Sequence, residues 1–598
     1  MHELYPAIPR QRRRIEDFLQ ANGLRYDDVD YYAALVDESS DEIVAGGGLK
    51  GGVIKCVAVA DGHKGEAVAN QIVSHLIAKA NAAGHQCVKL FTKPQNRPLF
   101  ESLSFRFLAE APEAILMETG VGGIAKYSEE LRAKSEECNC YLLAGRNSVE
   151  VDSTKLSVDT VKWSVGVIVM NCNPFTLGHR YLIERSSELV ERLYVVVVRE
   201  DCSMFSYSER KAMVSQGVKD LGNVVVVDGS DYAVSATTFP TYFLKRISDA
   251  TDTQILLDLD IYLRHIAPAL GANVRFVGSE PTDPLTRRYN ELMRQQLGDD
   301  HICEIPRMEK YGSVVSASRV RRAIEANSLW QAIELVPSST IPYIIAHLAT
   351  RALQAELDTT PKPGLVDKRD NGAHRDMDHA LMLRSIRALH PYFIRLAQLG
   401  CSSPQPPHDD IVRIGIEAER AMFEATGGVN TYKGALFSMG LAVIAAGGAA
   451  LCHNTNAMSS SIAALASRFP ITKGTHGSEA KTRACLKGAL DNARDGYRML
   501  FEAWLPFYET CVESADPYAL HKTLLRIMCD LDDTNIVYRT SLATMLQVKE
   551  ESKQLLQSFS IMGLETMNSK FMRCNISPGG SADMLSLVVF LYSVLRKQ

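Results

Sequence analysis

Residues 166–185, Gly-Val-Ile-Val-Met-Asn-Cys-Asn-Pro-Phe-Thr-Leu-Gly-His-Arg-Tyr-Leu-Ile-Glu-Arg, change character midway. Gly166–Met170 is apolar, Asn173-Pro174 turns the chain, and the pair Gly178-His179 opens an amphipathic stretch. An apolar run that ends in a turn and feeds a helix is the first step of a strand–turn–helix unit. Four more short runs follow: Tyr194–Val198, Val224–Val227, Val274–Val277 and Ile302–Ile305. Such β-prone runs separated by helical patterns predict a parallel sheet covered on both faces. Leu182, Ile183, Leu189, Val190 and Leu193 are read as the buried stripe of the first helix. Ligands of an open parallel sheet bind beyond the carboxyl ends of its strands. His179 is therefore expected beside free helix N–H groups, where a phosphate sits.

This block lies within a chain of 598 residues, 46% apolar and 23% charged. That length suits about three or four domains. A net charge of −5 and the lack of a long Lys/Arg block give no expectation of a nucleic-acid partner. The 13 cysteines are odd in number and include no C-x-x-C pair, so neither a disulfide framework nor a zinc site is expected, and a cytoplasmic location is. Arg10 to Arg14 is basic but runs into Ile15-Glu16-Asp17, not the apolar core of a signal peptide. Gly434–Cys452 carries no charge over 19 residues, long enough to span a bilayer. Its Ala/Gly richness and weakly basic flanks point instead to a buried helix, and no membrane partner is expected.

Residues 1–120 mix helix and strand. Val53–Ala60 reads as a strand, and Gly62-His-Lys-Gly-Glu-Ala67 leads into a helix with Val68, Ile72, Val73, Leu76 and Ile77 at helical spacing. A glycine turn at a helix start suits a pyrophosphate. The turn resembles the coenzyme A loop of the GNAT acetyltransferases: Gly65 and Ala67 match the pattern, and Gly62 stands where Gln or Arg is usual. Asn96–Phe105 resembles that family's closing helix and strand, with Ser104 in place of glycine. The resemblance implies an α+β GNAT-like domain at 1–120, followed by a connector over 121–160.

Val315-Ser-Ala-Ser-Arg-Val-Arg321 follows the last apolar run of the second block and offers hydroxyls and a guanidinium suited to phosphates. With Gly178-His179 it resembles the HxGH nucleotidyltransferases, Thr176 standing where the first histidine is usual. Asn171–His179, Phe205 with Arg210, Thr238–Lys245, Phe276–Pro281 and Tyr289-Asn290 are similar to citrate lyase ligases. That resemblance spans 1–340, with an α/β nucleotidyltransferase domain at 161–340. It implies that acetate attacks ATP to give acetyl adenylate and diphosphate, and that the acetyl group passes to a thiol arm on the citrate lyase acyl carrier protein. It places His179, Thr176 and Arg321 in catalysis, and Asn173, Phe175, Gly178, Ser316 and Ser318 on ATP.

Residues 346–598 lack strand alternation and read as all-helical. Between the helices lie segments dense in reactive side chains: 359–367 with Lys362, 371–378 with His374, Arg375, Asp376 and Asp378, and 426–434 with Thr426, Asn430 and Lys433. Glu479, Asp532-Asp533, Arg539, Ser577, Gly579 and Asp583 follow. Together they resemble the triphosphoribosyl-dephospho-CoA synthases, with Tyr432 where that family has histidine. The resemblance implies that a ribose hydroxyl of dephospho-CoA displaces adenine from ATP with retention of the triphosphate. It places Lys362, His374, Arg375, Thr426, Asn430, Lys433, Glu479, Arg539, Ser577 and Gly579 on the substrates. Asp376, Asp378, Asp533 and Asp583 are candidate Mg²⁺ ligands, because that ion takes few carboxylates beside waters and phosphates. ATP is expected as a substrate and no tightly bound organic cofactor is. Three other readings stay open: a cofactor adenylyltransferase fused to a ribosyl transferase of another pathway, a scaffold with dead pockets, and an active N-acetyltransferase in the first block.

Overall fold

The computed structural model describes residues 1–63, 66–145, 162–199, 203–232, 243, 249–280, 283–454, 457–470 and 486–596. Gly65, most of 238–245, Pro281 and Glu479 therefore lie outside the described residues. The chain forms two compact units: Met1–Asn173 with Gly178–Val314, and Pro174–Leu177 with Val315–Gln598.

In the first unit, a seven-stranded sheet has the spatial order His2–Leu4, Tyr31–Val36, Ile43–Lys50, Val53–Val59, Cys87–Thr92, Ala114–Gly120, Arg106–Ala111. Val53–Val59 and Cys87–Thr92 are its parallel neighbours, registered only at Val53 with Lys89 and Ile54 with Leu90. Helix Glu66–Ala82 buries Ile72, Val73 and Leu76, as its spacing predicts. Ser104 adopts φ 66°, a left-handed conformation that costs any residue with a Cβ and accounts for glycine being usual there. Part of the expected connector is a helix, Gly123–Gly145.

The second sheet of this unit is wholly parallel, ordered Val224–Asp228, Val190–Val197, Trp163–Met170, Val274–Gly278, Ile302–Ile305. All five expected runs are strands. Trp163–Met170 is central, with the second strand on one side and the fourth on the other, so its carboxyl end is the topological switch point where such sheets bind ligands. The helix after it is shorter than its apolar pattern suggests. It runs Leu177–Ser187; Leu189 lies in the turn, and Val190 and Leu193 belong to the next strand. The run Val190–Val197 is buried at every position but one, and a two-sided strand of that kind competes successfully with helix continuation.

The second unit is helical. Its core helix Lys433–Cys452 is the uncharged run, and its most apolar window is 83% buried inside the unit. Glycine accounts for its composition: a Cβ on Gly400 would come within 2.1 Å of Ile444 O, so helices His379–Ser402 and Lys433–Cys452 approach backbone to backbone. This unit begins upstream of the expected boundary at 340–346. Helices Ala317–Glu325 and Leu329–Ile333 bury Val320, Ile324, Leu329 and Ile333. Trp330 Nε1 donates to Val594 O at 2.8 Å, Arg596 to Ala326 O at 3.1 Å and Arg351 to Ile324 O at 2.6 Å. Leu177 N donates to Leu335 O, and Thr340 Oγ1 to Phe175 O, both at 2.9 Å.

Candidate active sites

At the switch point of the parallel sheet, the chain leaves Met170 through Asn171, Cys172 at φ 54° and Asn173. Arg210, 0% exposed, locks this corner. Its Nη1 donates to Asn171 O at 2.6 Å, Asn171 Oδ1 at 2.7 Å and Val198 O at 2.8 Å, while Nε reaches Phe205 O at 3.2 Å. Phe205 N in turn donates to Asn173 Oδ1 at 3.2 Å. Arg210 and Phe205 thus act through loop geometry.

His179 stands in the first turn of the following helix. Burial, and secondarily the charge of Arg307, lower its pKa to about 4, so at neutral pH it is an uncharged imidazole. Arg307 itself donates through Nε to Ser279 O at 2.7 Å and pairs with buried Glu280. Arg307 was not legible in the sequence, because a lone arginine after the last strand carries no motif. Thr176 and Phe175 are buried at 1% and 0% and belong to the second compact unit. So do Ser316, Ser318 and Arg321, with Ser316 capping helix Ala317–Glu325 and lying 3.0 Å from Ser318 Oγ.

A second cleft, of about 230 Å³, opens in the seven-stranded sheet between its two parted parallel strands, lined by Val57, Ala58, Phe91, Thr92 and Asn96 among others. Ala67 is exposed on the adjacent helix and is not among its lining residues.

The helical unit holds a cleft of about 200 Å³. Lys362, His374, Asn430, Lys433, Arg539, Ser577, Gly579 and Asp583 all line it, which brings together eight residues from five separated segments. His374 Nε2 and Ser577 Oγ share a hydrogen bond of 2.8 Å. Arg539 Nη2 donates to Ala373 O and Asn575 Oδ1, both at 2.6 Å, and Lys433 Nζ to Glu419 Oε1 at 2.6 Å.

Other expected residues have different places. Thr426 donates to Met422 O and Val429 O and ends its helix away from the cleft. Arg375 is exposed and outside the lining. Lys362 is 1% exposed and paired with Glu356, so its charge is already committed. The four aspartates do not assemble into a cage. Asp376 is exposed, 3.9 Å from His374 Nδ1, and Asp378 accepts from Leu381 N as a helix cap. Asp533 accepts from Ser581 N at 2.8 Å, Ser581 Oγ at 2.9 Å and Asn535 N at 3.0 Å. Among the described residues no group of three or more His, Cys, Asp or Glu is placed to hold a metal ion. Any magnesium here would be held chiefly by the phosphates it accompanies.

Sequence reasoning missed Glu356. It lies on the buried stripe Ile345, Ala349, Ala352, Leu353, Glu356 of helix Ile341–Asp358, and an acid within an apolar period is the signal that could have found it.

Burial first, then the Arg539 charge, lowers His374 to about 4. A histidine kept neutral on folding binds fewer protons than in the unfolded chain between its two pKa values. Its contribution to stability is complete above pH 6.5 and is lost as pH falls toward 4. Denaturant unfolding at pH 7 and pH 5 should therefore show a smaller loss for His374→Asn than for the parent.

The molecule is thus a two-headed enzyme for nucleotide substrates, one head an α/β sheet and the other a helical cradle. Residues 165–344 match the family model of the citrate lyase ligase C-terminal domain, and 342–598 that of ATP:dephospho-CoA triphosphoribosyl transferase. A [citrate [pro-3S]-lyase] ligase of Haemophilus influenzae is 35% identical over 338 residues, 55% of this chain and 94% of that one. A 2-(5''-triphosphoribosyl)-3'-dephosphocoenzyme-A synthase of Pectobacterium atrosepticum is 35% identical over 258 residues, 40% of this chain and 86% of that one. A probable synthase of the same name from Vibrio cholerae is 33% identical over 290 residues, 43% of this chain and 90% of that one. The chain belongs to the citrate lyase ligase family in its first part and to the triphosphoribosyl-dephospho-CoA synthase family in its last. It is a bifunctional citrate lyase accessory enzyme, ligase and transferase in one polypeptide.

Proposed function

We propose that the first part acetylates the thiol of the prosthetic arm on the citrate lyase acyl carrier protein, and that the second makes the precursor of that arm. The observation that carries both is coverage: the chain aligns with 94% of a ligase and 86% of a synthase. In the ligase reaction an acetate oxygen attacks the α-phosphate of ATP, diphosphate leaves, and the acyl group of acetyl adenylate passes to the thiol with release of AMP. Positioned donors stabilise the charge that develops on the phosphate. His179 does so as a neutral donor, with Thr176, Asn173, Phe175 and Gly178 contacting ATP.

Ser316, Ser318 and Arg321 are proposed to grip the leaving diphosphate. Arg321→Lys keeps the charge but loses the planar fork. The KM for ATP in acetate-dependent diphosphate exchange should then rise about tenfold, and an unchanged value would reduce this segment to a helix cap.

The seven-stranded sheet is read as a GNAT-like domain whose cleft, with Gly65 and Ala67, receives the arm. In the synthase reaction the 2′-hydroxyl of dephospho-CoA displaces adenine from C1 of the ATP ribose. Arg539, Lys433, Ser577 and the N-terminus of helix Gly579–Leu595 suit the triphosphate, and Mg²⁺ accompanies it. Both reactions are placed in the cytoplasm. Supplying ATP with acetate alone should give diphosphate exchange, and ATP with dephospho-CoA alone should give free adenine. ADP or AMP in place of adenine would refute the second reaction.

A further inference from the structure

The walls of the helical cleft differ in character. Arg539 and Lys433 are cationic, Ser577 brings a hydroxyl and His374 a neutral imidazole, whereas the other wall is formed by Glu356 and Tyr432, both buried, and the half-buried Asp583. Three observations mark that wall. Tyr432 is 4% exposed and its hydroxyl has no hydrogen-bond partner among the described residues, an expensive state for a buried polar atom unless a ligand completes it. Glu356 is 3% exposed and paired with Lys362; burial raises its pKa, and the Lys362 charge works against that rise. Asp583 lies so close to the start of helix Lys433–Cys452 that a Cβ on Gly434 would come within 2.2 Å of its Oδ2. Asp583 accepts a backbone N–H from Ala435, while burial and the nearby Glu356 push its pKa well up.

Resting on the synthase reading above, we infer that this acidic wall receives the acceptor ribose: Glu356 takes the proton of the attacking 2′-hydroxyl, and Glu356, Asp583 and Tyr432 together select an acceptor with a free 3′-hydroxyl over one bearing a 3′-phosphate. The bond from the 2′-oxygen to C1 forms as the C1–N bond to adenine breaks. The hydroxyl proton goes to the Glu356 carboxylate and then to water; the C1–N electron pair leaves with adenine, which takes a proton from water. The two halves of the inference are linked by ring geometry. The 3′-oxygen is the neighbour of the 2′-oxygen, so any group that reaches one faces the other. A neutral 3′-hydroxyl can pair with the Tyr432 hydroxyl. A phosphate dianion in the same place would meet the Glu356 carboxylate, and Lys362, committed to Glu356 and 1% exposed, has no charge free to offer it. Selection against a competitor by uncompensated charge is a general device of specific sites.

The test uses the full chain and follows adenine release from ATP and dephospho-CoA, with CoA as competitor. Glu356→Gln should lower kcat at least 100-fold. The same variant should lower the inhibition constant of CoA at least tenfold, because the carboxylate that faces a 3′-phosphate has been neutralised. Tyr432→Phe should raise the KM for dephospho-CoA about tenfold while the melting temperature stays level or rises, because an unpaired hydroxyl has been removed. A kcat for Glu356→Gln within threefold of the parent overturns the base assignment. A CoA inhibition constant that is equal in the parent and in Glu356→Gln overturns the selection. If Glu356→Gln fails to fold because Lys362 loses its partner, the double variant with Lys362→Met carries both the kcat test and the CoA test, and Tyr432→Phe carries the test of acceptor binding. A parent that releases no adenine refutes the reaction itself, whereas a parent that uses CoA as readily as dephospho-CoA refutes only this inference.

Discussion

His179→Ala should slow acetate-dependent exchange of labelled diphosphate into ATP by about 10²–10³, roughly 3–4 kcal/mol of transition-state stabilisation, the usual loss when one preorganised donor is removed from a phosphoryl or acyl centre. The imidazole stands in the first turn after the central strand and is held neutral by burial and by Arg307. It therefore acts by hydrogen bonding in a position fixed before substrate arrives, not by bringing a charge. His179→Asn keeps a donor near the same place and should recover part of the rate. The profile of kcat against pH between 5 and 8 should show no step from His179 in the parent. Exchange by His179→Ala within threefold of the parent would remove this residue from the reaction.

Asp533→Ala should abolish adenine release, by at least 100-fold, and lower stability by about 3 kcal/mol. Asp533 is 2% exposed and its carboxylate gathers Ser581 N, Ser581 Oγ and Asn535 N. Each buried donor left without an acceptor costs about 1–3 kcal/mol. The same bonds tie Asn535, which lines the cleft, to the first turn of helix Gly579–Leu595. The measurement that separates a positioning role from direct metal binding is the magnesium dependence. Asp533→Asn retains one acceptor oxygen and should recover most of the melting temperature with an unchanged half-saturating Mg²⁺ concentration. A large rise in that concentration at full stability would restore Asp533 as a ligand.

The parallel sheet was legible because its strands are uninterrupted β-prone runs, and a strand buried on both faces has no polar period to confuse with a helix. The end of the first helix was not. Leu189, Val190 and Leu193 continue a helical spacing, yet the competing preference of Val190–Val197 for the sheet takes them. Sequence segments located the helical cleft well, since glycine-rich turns with Lys, Arg and Ser converge there. What they could not separate was function within the cleft. Lys362 reads as a free cation until Glu356 is seen beside it, and Glu356 reads as an ordinary helix residue until its burial is known. Asp376 and Asp378 read as metal ligands, but one is exposed and the other caps a helix. Pairing between distant segments sets such roles, and no local pattern records it.

The contacts that close the helical unit have a consequence for how the chain is made. Arg596 bonds Ala326 across a separation of 270 residues, and Trp330 bonds Val594 across 264. The stretch 315–344, which matches the ligase family, cannot acquire these partners until the last helix has left the ribosome. At roughly 5–20 residues per second this is a delay on the order of tens of seconds, during which Leu329 and Ile333 lack their final cover. Contacts of such long range also slow folding once synthesis is complete. Nascent chains should therefore depend on chaperones until termination, and ligase activity should mature with release of the full-length polypeptide, not with synthesis of its own segment.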